Sequence, residues 1–587
     1  MKAHAAVVGA VLGAWLAPST PLVFAALSIV ASLLLRRCRW SVGVLVIAVF
    51  LTASASSTHA TRSFDFPEAG EFDGWITFID DPKASGPVGV RVTVRSGRQR
   101  LVATGHGAVA GRLDNALAGE RLHVTGTIRP VPMSDTRSLQ RHVVGRITVT
   151  EVLGSAPAAP VNAAANMVRR TLDEGAHSLD RDDKALFLGM VIGDDRGQGP
   201  VTADDFRAAG LGHLLVVSGQ NVAFVLAVAM PVAGRLRPAG RAVVLLVLLG
   251  LFAIMTRFEP SVLRATAMAG IGIGSAALGR PTNGRSGLSW AIVGLLVIDP
   301  FLVHVIAFRL SAAATAGIVW LGGPLNERLP GPSWLRVPVS TTVAAQLAVS
   351  PVLIAVFGPL PLASLPANVL AGPASGAVMI WGCTAGLVAG VCGGWVATVL
   401  HFPTAMLLLW IGGVAGMAAA APSATLDLAG LVIIGGAVVV SLGVRRRGVG
   451  LAALLISACI CGVAIANSPS PEDGHTALGD GVVALHHGGA TVVVLDDPPP
   501  ARIVLERLRE AGVRRPVLIV AVDGDRADAD AVLALRDRFG PVPTAAPPLH
   551  RVPGARTVRT GLVVTVEGIR VEILEVDPRI ALSTAYS

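Results

Sequence analysis

Hydrophobic positions along this chain fall into four regimes. Apolar runs of about 15–25 residues, the length that crosses a bilayer as a helix, occupy 4–18, 20–35 and 40–56 and recur from 212 to 467. Between them, 58–160 switches to alternation of apolar and polar residues broken by Gly and Asp: GWITFIDD, VGVRVTVRSG, RLHVTGTIRP, GRITVTEV. Period-two alternation predicts strands, and five or so short strands at this spacing predict a small β-barrel. Residues 161–211 mix Arg169, Arg170, Asp180, Asp182, Asp183 and Lys184 with LFLGMVIG, a pattern of amphipathic helices along a membrane surface. From 468 to 587, strand-like runs (TVVVL, PVLIVAV) alternate with the amphipathic stretches PARIVLERLREAGV and DADAVLALRDRFG, which predicts an α/β domain.

The chain thus divides into 1–57, N-terminal transmembrane helices; 58–160, a barrel; 161–211, juxtamembrane helices; 212–467, a membrane domain; and 468–587, an α/β domain. The membrane domain offers eleven apolar segments: 212–233, 242–257, 263–279, 287–303, 305–322, 338–357, 360–382, 384–400, 403–420, 427–443 and 449–466. By the positive-inside rule, the loops with Arg36, Arg37 and Arg39, with Arg235, Arg237 and Arg241, with Arg280 and Arg285, and with Arg445–Arg447 are cytoplasmic. Those anchors do not accommodate all eleven as spans, so one or more segments between 322 and 444 must be re-entrant or lie at the surface. Pro351, Pro359, Pro361, Pro366 and Pro373 supply the breaks there. The same arithmetic puts the barrel and the α/β domain on the extracytoplasmic side.

Composition agrees with lipid as the main solvent. Hydrophobic residues make up 52% of the 587 and charged ones 15%, against about 25% charged in soluble domains. None of the five cysteines lies in the two polar domains, so neither a disulfide framework nor a cysteine zinc site is expected. The N-terminal apolar run has no small-residue cleavage site and is followed at once by further apolar runs, which reads as an anchor. No GxxxxGK[ST] loop occurs, so ATP energy would come from another protein.

Candidate chemistry concentrates in LGHLLVVSGQNVAFVLAVAMPVAG (211–234), where His213, Ser218, Gln220 and Asn221 interrupt an apolar run. A polar side chain at membrane depth is costly and faces protein or water. Read as one helix at about 100° per residue, the run puts His213 and Gln220 on nearly one face and Asn221 about 80° away, beside a strip of Gly212 and Gly219. The stripe either fixes helix packing by hydrogen bonds or lines a conduit. Arg264, inside another apolar run, either snorkels to an interface or faces that conduit.

DFRAAGLGHLLVVSGQNVAFV (205–225) resembles the block that opens the membrane domain of the ComEC competence proteins. The likeness continues in order through PSVLRATAMAG (260–270), GRP (279–281), DP (299–300) and FRLS (308–311), then Gln346, Pro351, Asn368 and Pro373. The resemblance implies an inner-membrane channel for incoming DNA. It implies functional roles for His213, Ser218, Gln220 and Asn221, with Arg264, Arg309, Gln346 and Asn368 as further path candidates. Arg309 departs from the glutamine common at its place in the family.

AGERLHVTGTIRP (118–130) resembles the family's OB-like domain. OB barrels bind single-stranded nucleic acid through a basic groove and stacked aromatics. Arg91, Arg95, Arg98 and Arg100 cluster around one hairpin and are the candidates here. Phe64, Phe66, Phe72, Trp75 and Phe78 precede them and are expected to fill the core. The domain is nearly neutral: 61–160 holds 12 Lys/Arg against 10 Asp/Glu, or +2.

GDGVVALHHGGATVVVLDD (479–497) resembles the opening of the metallo-β-lactamase-like domain that ends many ComEC proteins. The family's His-x-His-x-Asp-His run suits two-metal hydrolysis, but its three histidine places hold Asp523, Asp525 and Asp528 and its aspartate place holds Ala527. His486 and His487 are neighbours on a strand, point to opposite faces and do not replace it. The three carboxylates read as a solvated helix N-terminus, or as ligands for a hard ion such as Mg²⁺. With 13 Arg against 16 Asp/Glu, 468–587 carries −3, the wrong sign for a nuclease groove.

The expected fold is therefore a polytopic α-helical membrane protein with an extracytoplasmic OB-like β-barrel and a degenerate metallo-β-lactamase-like α/β domain. The expected function is passage of single-stranded DNA across the cytoplasmic membrane, with no catalytic residue, metal or cofactor of its own. Its expected partners are the DNA strand, membrane lipids, a DNA receptor on the outer face and a cytoplasmic ATP-driven motor; self-association is left open. Two rivals remain: a small-molecule or lipid-precursor transporter, and a membrane-bound DNA hydrolase using Asp523, Asp525 and Asp528.

Overall fold

The computed structural model describes residues 2–16, 49, 51–54, 64–85, 89–421, 424–443, 457, 459–465, 473–513, 515–576 and 580–586. The expected span 20–35, most of 40–56, Arg36, Arg37, Arg39, Arg445–Arg447 and much of 449–466 lie outside the described residues. The chain forms two compact units, the first of residues 1–197, 213–358 and 369–411, the second of 198–212, 359–368 and 412–587.

The first unit begins with α1 (Lys2–Leu16) and then closes a sheet on itself. Strands β1 (Gly70–Phe78), β2 (Lys83–Ala84), β3 (Gly89–Ser96), β4 (Gln99–His106), β5 (Arg121–Pro130) and β6 (Val143–Ala156) join in the order β1-β5-β6-β4-β3-β2. β1 pairs a second time, with β3 through Thr77↔Arg95 and Phe78↔Val94, so the ring closes. The β4–β6 pair is parallel and the other pairs antiparallel. Helix α2 (Gly107–Asp114) follows β4 and buries Leu113 against the interior. Ile76, Val92, Val94, Leu101, Val124 and Ile147 point inward and form the core, as period-two alternation requires. Phe78 is buried and Phe64, Phe66 and Phe72 pack half-buried against that core. Trp75 does not: it sits in the outward phase of β1, 40% exposed, with the Arg121 guanidinium 5.1 Å from its ring centroid.

The helices that follow are α3 (Pro160–Gly175), α4 (Arg181–Ile192), α5 (Pro200–Ala208), α6 (Gly219–Ala233), α7 (Pro238–Met255), α8 (Pro260–Ala277), α9 (Gly284–Ile298), α10 (Ile306–Arg328), α11 (Ser333–Phe357), α12 (Ser364–Cys392), α13 (Gly394–Ala420) and α14 (Leu428–Gly443). Among the described residues five of them (α7, α10, α11, α12, α13) are long and apolar enough to cross a membrane. Exposed Trp334, Trp381, Trp395 and Trp410 mark these spans, the kind of residue that sits at a lipid headgroup boundary.

The breaks do not follow the prolines. Pro351 lies inside α11 and Pro373 inside α12; in an apolar setting neighbouring groups re-satisfy the one backbone bond a proline removes. Only Pro359 and Pro361 flank a true interruption, after Gly358 at φ +85°. The other interruption is made by Gly393 and Gly394, at φ +62° and +51°, so the expected break near 401 does not occur and Pro403 rides within α13. A glycine also brings α12 onto α3: a Cβ on Gly390 would stand 1.9 Å from the Thr171 carbonyl oxygen. Small residues at helix contacts allow such approach.

The second unit holds α5 and the C-terminal residues. Strands β9 (Gly474–Ala477), β10 (Val482–His487), β11 (Ala490–Leu495), β12 (Leu518–Ala521), β13 (Thr544–Ala546) and β14 (Arg556–Thr557) form one sheet in reverse sequence order, parallel from β11 to β14. The short pair β7 (Leu360–Pro361) and β8 (Thr425–Leu426) also belongs to this unit. Helices α15 (Ala501–Glu510) and α16 (Arg526–Phe539) bury Val504, Leu508, Val532 and Leu535 with Val482 and Ile519. The other face packs against the antiparallel β15 (Val563–Val566), β16 (Ile569–Val576) and β17 (Ile580–Tyr586).

Candidate functional site

The polar segment is not a single helix. Gly212–Leu214 forms one 3-10 turn, Ser218 is extended, and α6 begins only at Gly219. His213 and Gln220 therefore share no helical face, although both are exposed. At 15 residues and about 1.5 Å per residue, α6 spans about 22 Å, less than the ~30 Å apolar layer. Ser218 Oγ donates to Asn221 Oδ1 at 3.1 Å, and buried Asn221 donates to the Met190 carbonyl at 2.7 Å. Asn221 thus ties the start of α6 to α4.

The next shell comes from α8 and α10. Ser261 Oγ donates to the Val217 carbonyl at 3.0 Å. Arg264 is buried, 6% exposed, and its Nε donates to Ser311 Oγ at 2.9 Å. A Cβ on Gly219 would stand 2.5 Å from Arg264 Nη2, so the glycine makes room for the guanidinium. Arg264 does not snorkel; it lies in the interior between α6 and α10. Ser311 and Ser261 were not singled out from sequence, yet both lie in the motif blocks FRLS and PSVLRATAMAG.

The other path candidates are dispersed. Arg309 is half-buried on α10 and Gln346 half-buried on α11, where its carbonyl accepts from Ser350 Oγ at 2.6 Å. Asn368, in the second unit, donates to the carbonyls of Ser364 (2.7 Å) and Gly210 (3.3 Å). Gly210 has φ +67°, and a Cβ there would stand 2.4 Å from the Ser364 Cβ, so only glycine fits. Ser218, Asn221 and Arg264 are brought together; Arg309, Gln346 and Asn368 are not part of that group.

A second polar centre had no sequence signal. Asp81, just past β1, accepts from Arg169 Nη2 at 2.6 Å, from Arg257 Nη2 at 2.9 Å and from the Ala118 backbone N–H at 3.1 Å. Arg169 also donates to the carbonyls of Ile192 and Met255, at 2.7 and 2.9 Å, and lies 3.4 Å from Asp194. Arg257 donates to Asn166 at 2.9 Å. Burial alone would push the Asp81 carboxyl up; Arg169 and Arg257 outweigh it and hold it below the usual carboxylate range. Arg257 and Phe258 both sit at positive φ, +56° and +55°, a strained pair that the ion cluster over-determines. The cluster joins the barrel to α3, α4 and the end of α7.

On the barrel, Arg91 and Arg95 are exposed on β3, and Arg98 is exposed in the turn that Gly97 makes at φ +56°. Arg100 stands opposite Arg95 and donates to the Arg141 carbonyl at 3.3 Å. In the C-terminal domain, Asp525 caps α16, accepting from the Asp528 N–H at 2.9 Å. Asp528 is not solvated as expected for a helix N-terminus. It is fully buried, and its Oδ2 accepts from the Gly524 and Asp523 N–H groups at 2.7 and 3.2 Å. Burial first, then the Asp525 and Asp523 charges, push its carboxyl up to about 7. His486 Nδ1 and Thr491 Oγ1 lie 2.8 Å apart. Among the described residues no three His, Cys, Asp or Glu side chains converge as a metal ion requires.

Comparison with known proteins places this architecture. Residues 190–446 match the family model "Competence: Competence protein". ComE operon protein 3 of Bacillus subtilis (strain 168) is 23% identical over 212 residues, 36% of this chain and 27% of that protein. The chain thus spans about a quarter of the length of that relative. No solved structure matches. The five apolar spans and this match make it a multi-pass membrane protein, in which residues 190–446 match the competence-protein family and resemble ComE operon protein 3.

Proposed function

We propose that the protein takes part in DNA uptake, as a channel that passes one DNA strand across the cytoplasmic membrane. The observation that carries the proposal is the competence-family match over a region whose apolar helices enclose the buried Arg264 beside Gly219. A buried cation in a membrane bundle marks a functional interior, and cationic surroundings suit a phosphate chain. Ser218 bonds to Asn221, Asn221 to the Met190 carbonyl and Arg264 Nε to Ser311, and these three act as the frame of the path; His213, Gln220, Arg309 and Gln346 are the candidates for its surface. The closed five-stranded ring with a parallel β4–β6 pair and a helix after β4 supports an OB-type barrel outside the membrane. The sheet of the second unit, with Asp523, Asp525 and Asp528 where the family carries metal ligands, supports a metallo-β-lactamase-like domain that has lost hydrolysis. Strand degradation and ATP-driven pulling fall to other proteins. Deleting the gene in a transformable host and following labelled DNA tests this: unchanged delivery to the cytosol rejects the channel.

A further inference from the structure

The outer face of the barrel carries a second basic site, apart from the β3–β4 hairpin. Along the antiparallel β5–β6 pair, Thr127 stands directly opposite Thr148 and Arg129 directly opposite Arg146. Directly opposed residues lie about 5 Å apart and same-face residues about 6.6 Å apart along a strand. The four side chains therefore mark the corners of a small rectangle, and all four are exposed. Thr104, paired with Thr148 across β4–β6, extends the row of hydroxyls, and with Pro130 and Pro132 these residues line a cavity of about 280 Å³.

Two arginines directly opposed on neighbouring strands repel each other unless a counter-charge intervenes. Asp135 pairs with Arg146 at 2.8 Å, which compensates one of the two. Arg129 has no partner among the described residues, nor have the Thr127 and Thr148 hydroxyls, whereas Thr104 Oγ1 already donates to the Ile147 carbonyl at 3.3 Å. One net positive charge, two forked guanidinium donors and two donor hydroxyls are the complement of a phosphate-type oxyanion. Glu71, opposite Thr127 on β1, bounds the patch on that side and disfavours spread of anion binding around the ring.

We infer that Thr127, Arg129, Arg146 and Thr148 bind a backbone phosphodiester of single-stranded nucleic acid. This rests on the proposed role in DNA uptake and adds to it a place where the strand is held on the barrel. Hydroxyl and guanidinium donors that touch only phosphate position a strand without reading its bases, as an uptake system indifferent to sequence requires.

The experiment uses the full chain in nanodiscs of zwitterionic lipid and a fluorescein-labelled oligodeoxythymidylate, read by anisotropy over a salt series. Arg129→Ala is expected to weaken binding about fivefold and lower the salt slope by about 0.7, one phosphate contact to a single strand. Arg129→Ala with Thr148→Val is expected to weaken it further, with unchanged melting. Arg137→Ala, which removes an exposed charge outside the cavity, is expected to leave affinity within twofold. Inorganic phosphate should compete only weakly with the oligonucleotide. Wild-type affinity in the double variant overturns the site, as does an equal loss in Arg137→Ala, which would mean diffuse attraction. Displacement of the oligonucleotide by phosphatidylglycerol vesicles from wild type, but not from the double variant, would reassign the site to a lipid headgroup and overturns it too. Full DNA uptake by cells carrying the double variant, beside none in the deletion strain, would sink the site alone and leave the channel standing.

Discussion

Replacing Asp81 by Asn should loosen the barrel from the helices beneath it, and the structure sets the size of the effect. The substitution removes the one carboxylate that lies between Arg169 and Arg257, whose side chains are 3% and 7% exposed. Breaking a buried pair from one side leaves an uncompensated charge and costs about 3–5 kcal/mol. The lower end, about 3 kcal/mol, applies here because Arg169 keeps the Ile192 and Met255 carbonyls and Asp194 at 3.4 Å. Lys83–Asp195 supplies an internal comparison: at 2.9 Å it is the same kind of pair, but its side chains are 49% and 31% exposed. Lys83→Ala should therefore cost less than about 1 kcal/mol. Native-state hydrogen exchange of the β1 and β5 amides is the assay, since 3 kcal/mol raises the opening equilibrium by about two orders of magnitude. Salt should narrow the Lys83 effect and leave the Asp81 effect almost unchanged. The Asp81 carboxyl is held below its unfolded value, so its contribution is complete above about pH 4 and lost only as pH falls through the lower folded value. Exchange in Asp81→Asn within about fivefold of wild type would refute the reasoning, because the cluster would then be worth no more than a surface pair.

Three further outcomes are expected. Asp528 is held neutral up to about pH 7, above its unfolded value near 4. Its folded form binds the extra proton, so stability is greatest below about pH 4 and declines as pH rises towards 7. Asp528→Asn should flatten that decline in a melting series of the full chain, by at most about 4 kcal/mol; a parallel curve in the variant would rule the residue out as the cause. Gly390→Ala should sharply reduce folded protein in membranes, because its Cβ would meet the Thr171 carbonyl at 1.9 Å. Gly372→Ala, with nothing within 4 Å, should accumulate normally; equal yields would show that α3 and α12 do not approach so closely. Arg509→Ala should cost about 2–4 kcal/mol in the second unit, since Asp204 beside it is 2% exposed and would keep only the Arg538 charge. Urea unfolding of the full chain checks this, and a midpoint equal to wild type would count against it.

What the sequence disclosed follows the range of the signals it carries. Alternation in GWITFIDD, VGVRVTVRSG, RLVATG, RLHVTGTIRP and GRITVTEV is a local property, and each stretch overlaps one of the strands that close into a ring. The ordered blocks from DFRAAGLGH to FRLS all fall inside the competence match at 190–446. Asp525 as a helix cap was legible, because capping is settled within one turn. The burial of Asp528 was not, since it depends on what packs over the turn. The Asp81 cluster escaped notice for the same reason, with Arg169 and Arg257 lying 88 and 176 residues further on. Nor does periodicity say where a helix starts: LGHLLVVSGQNV is apolar enough to continue α6 backwards, yet its first residues turn as a 3-10 element. Prolines are poor markers of breaks here and the Gly393–Gly394 pair a good one, because lipid-facing helices absorb prolines that water-exposed ones do not.

The short helix α5 has a consequence for how the C-terminal domain is regarded. Its two adjacent carboxylates are each met by an arginine of that domain, Asp204 by Arg509 at 3.4 Å and Asp205 by Arg538, while Val201 inserts among the domain's apolar side chains. A stretch of chain that leads straight into the competence signature is therefore seated in a fold whose contacting arginines come 305 and 333 residues later. Truncating the tail would strip two anions of their counter-ions and uncover an apolar socket. Whatever chemistry this domain performs, it also serves as the cradle for the segment on which the signature begins.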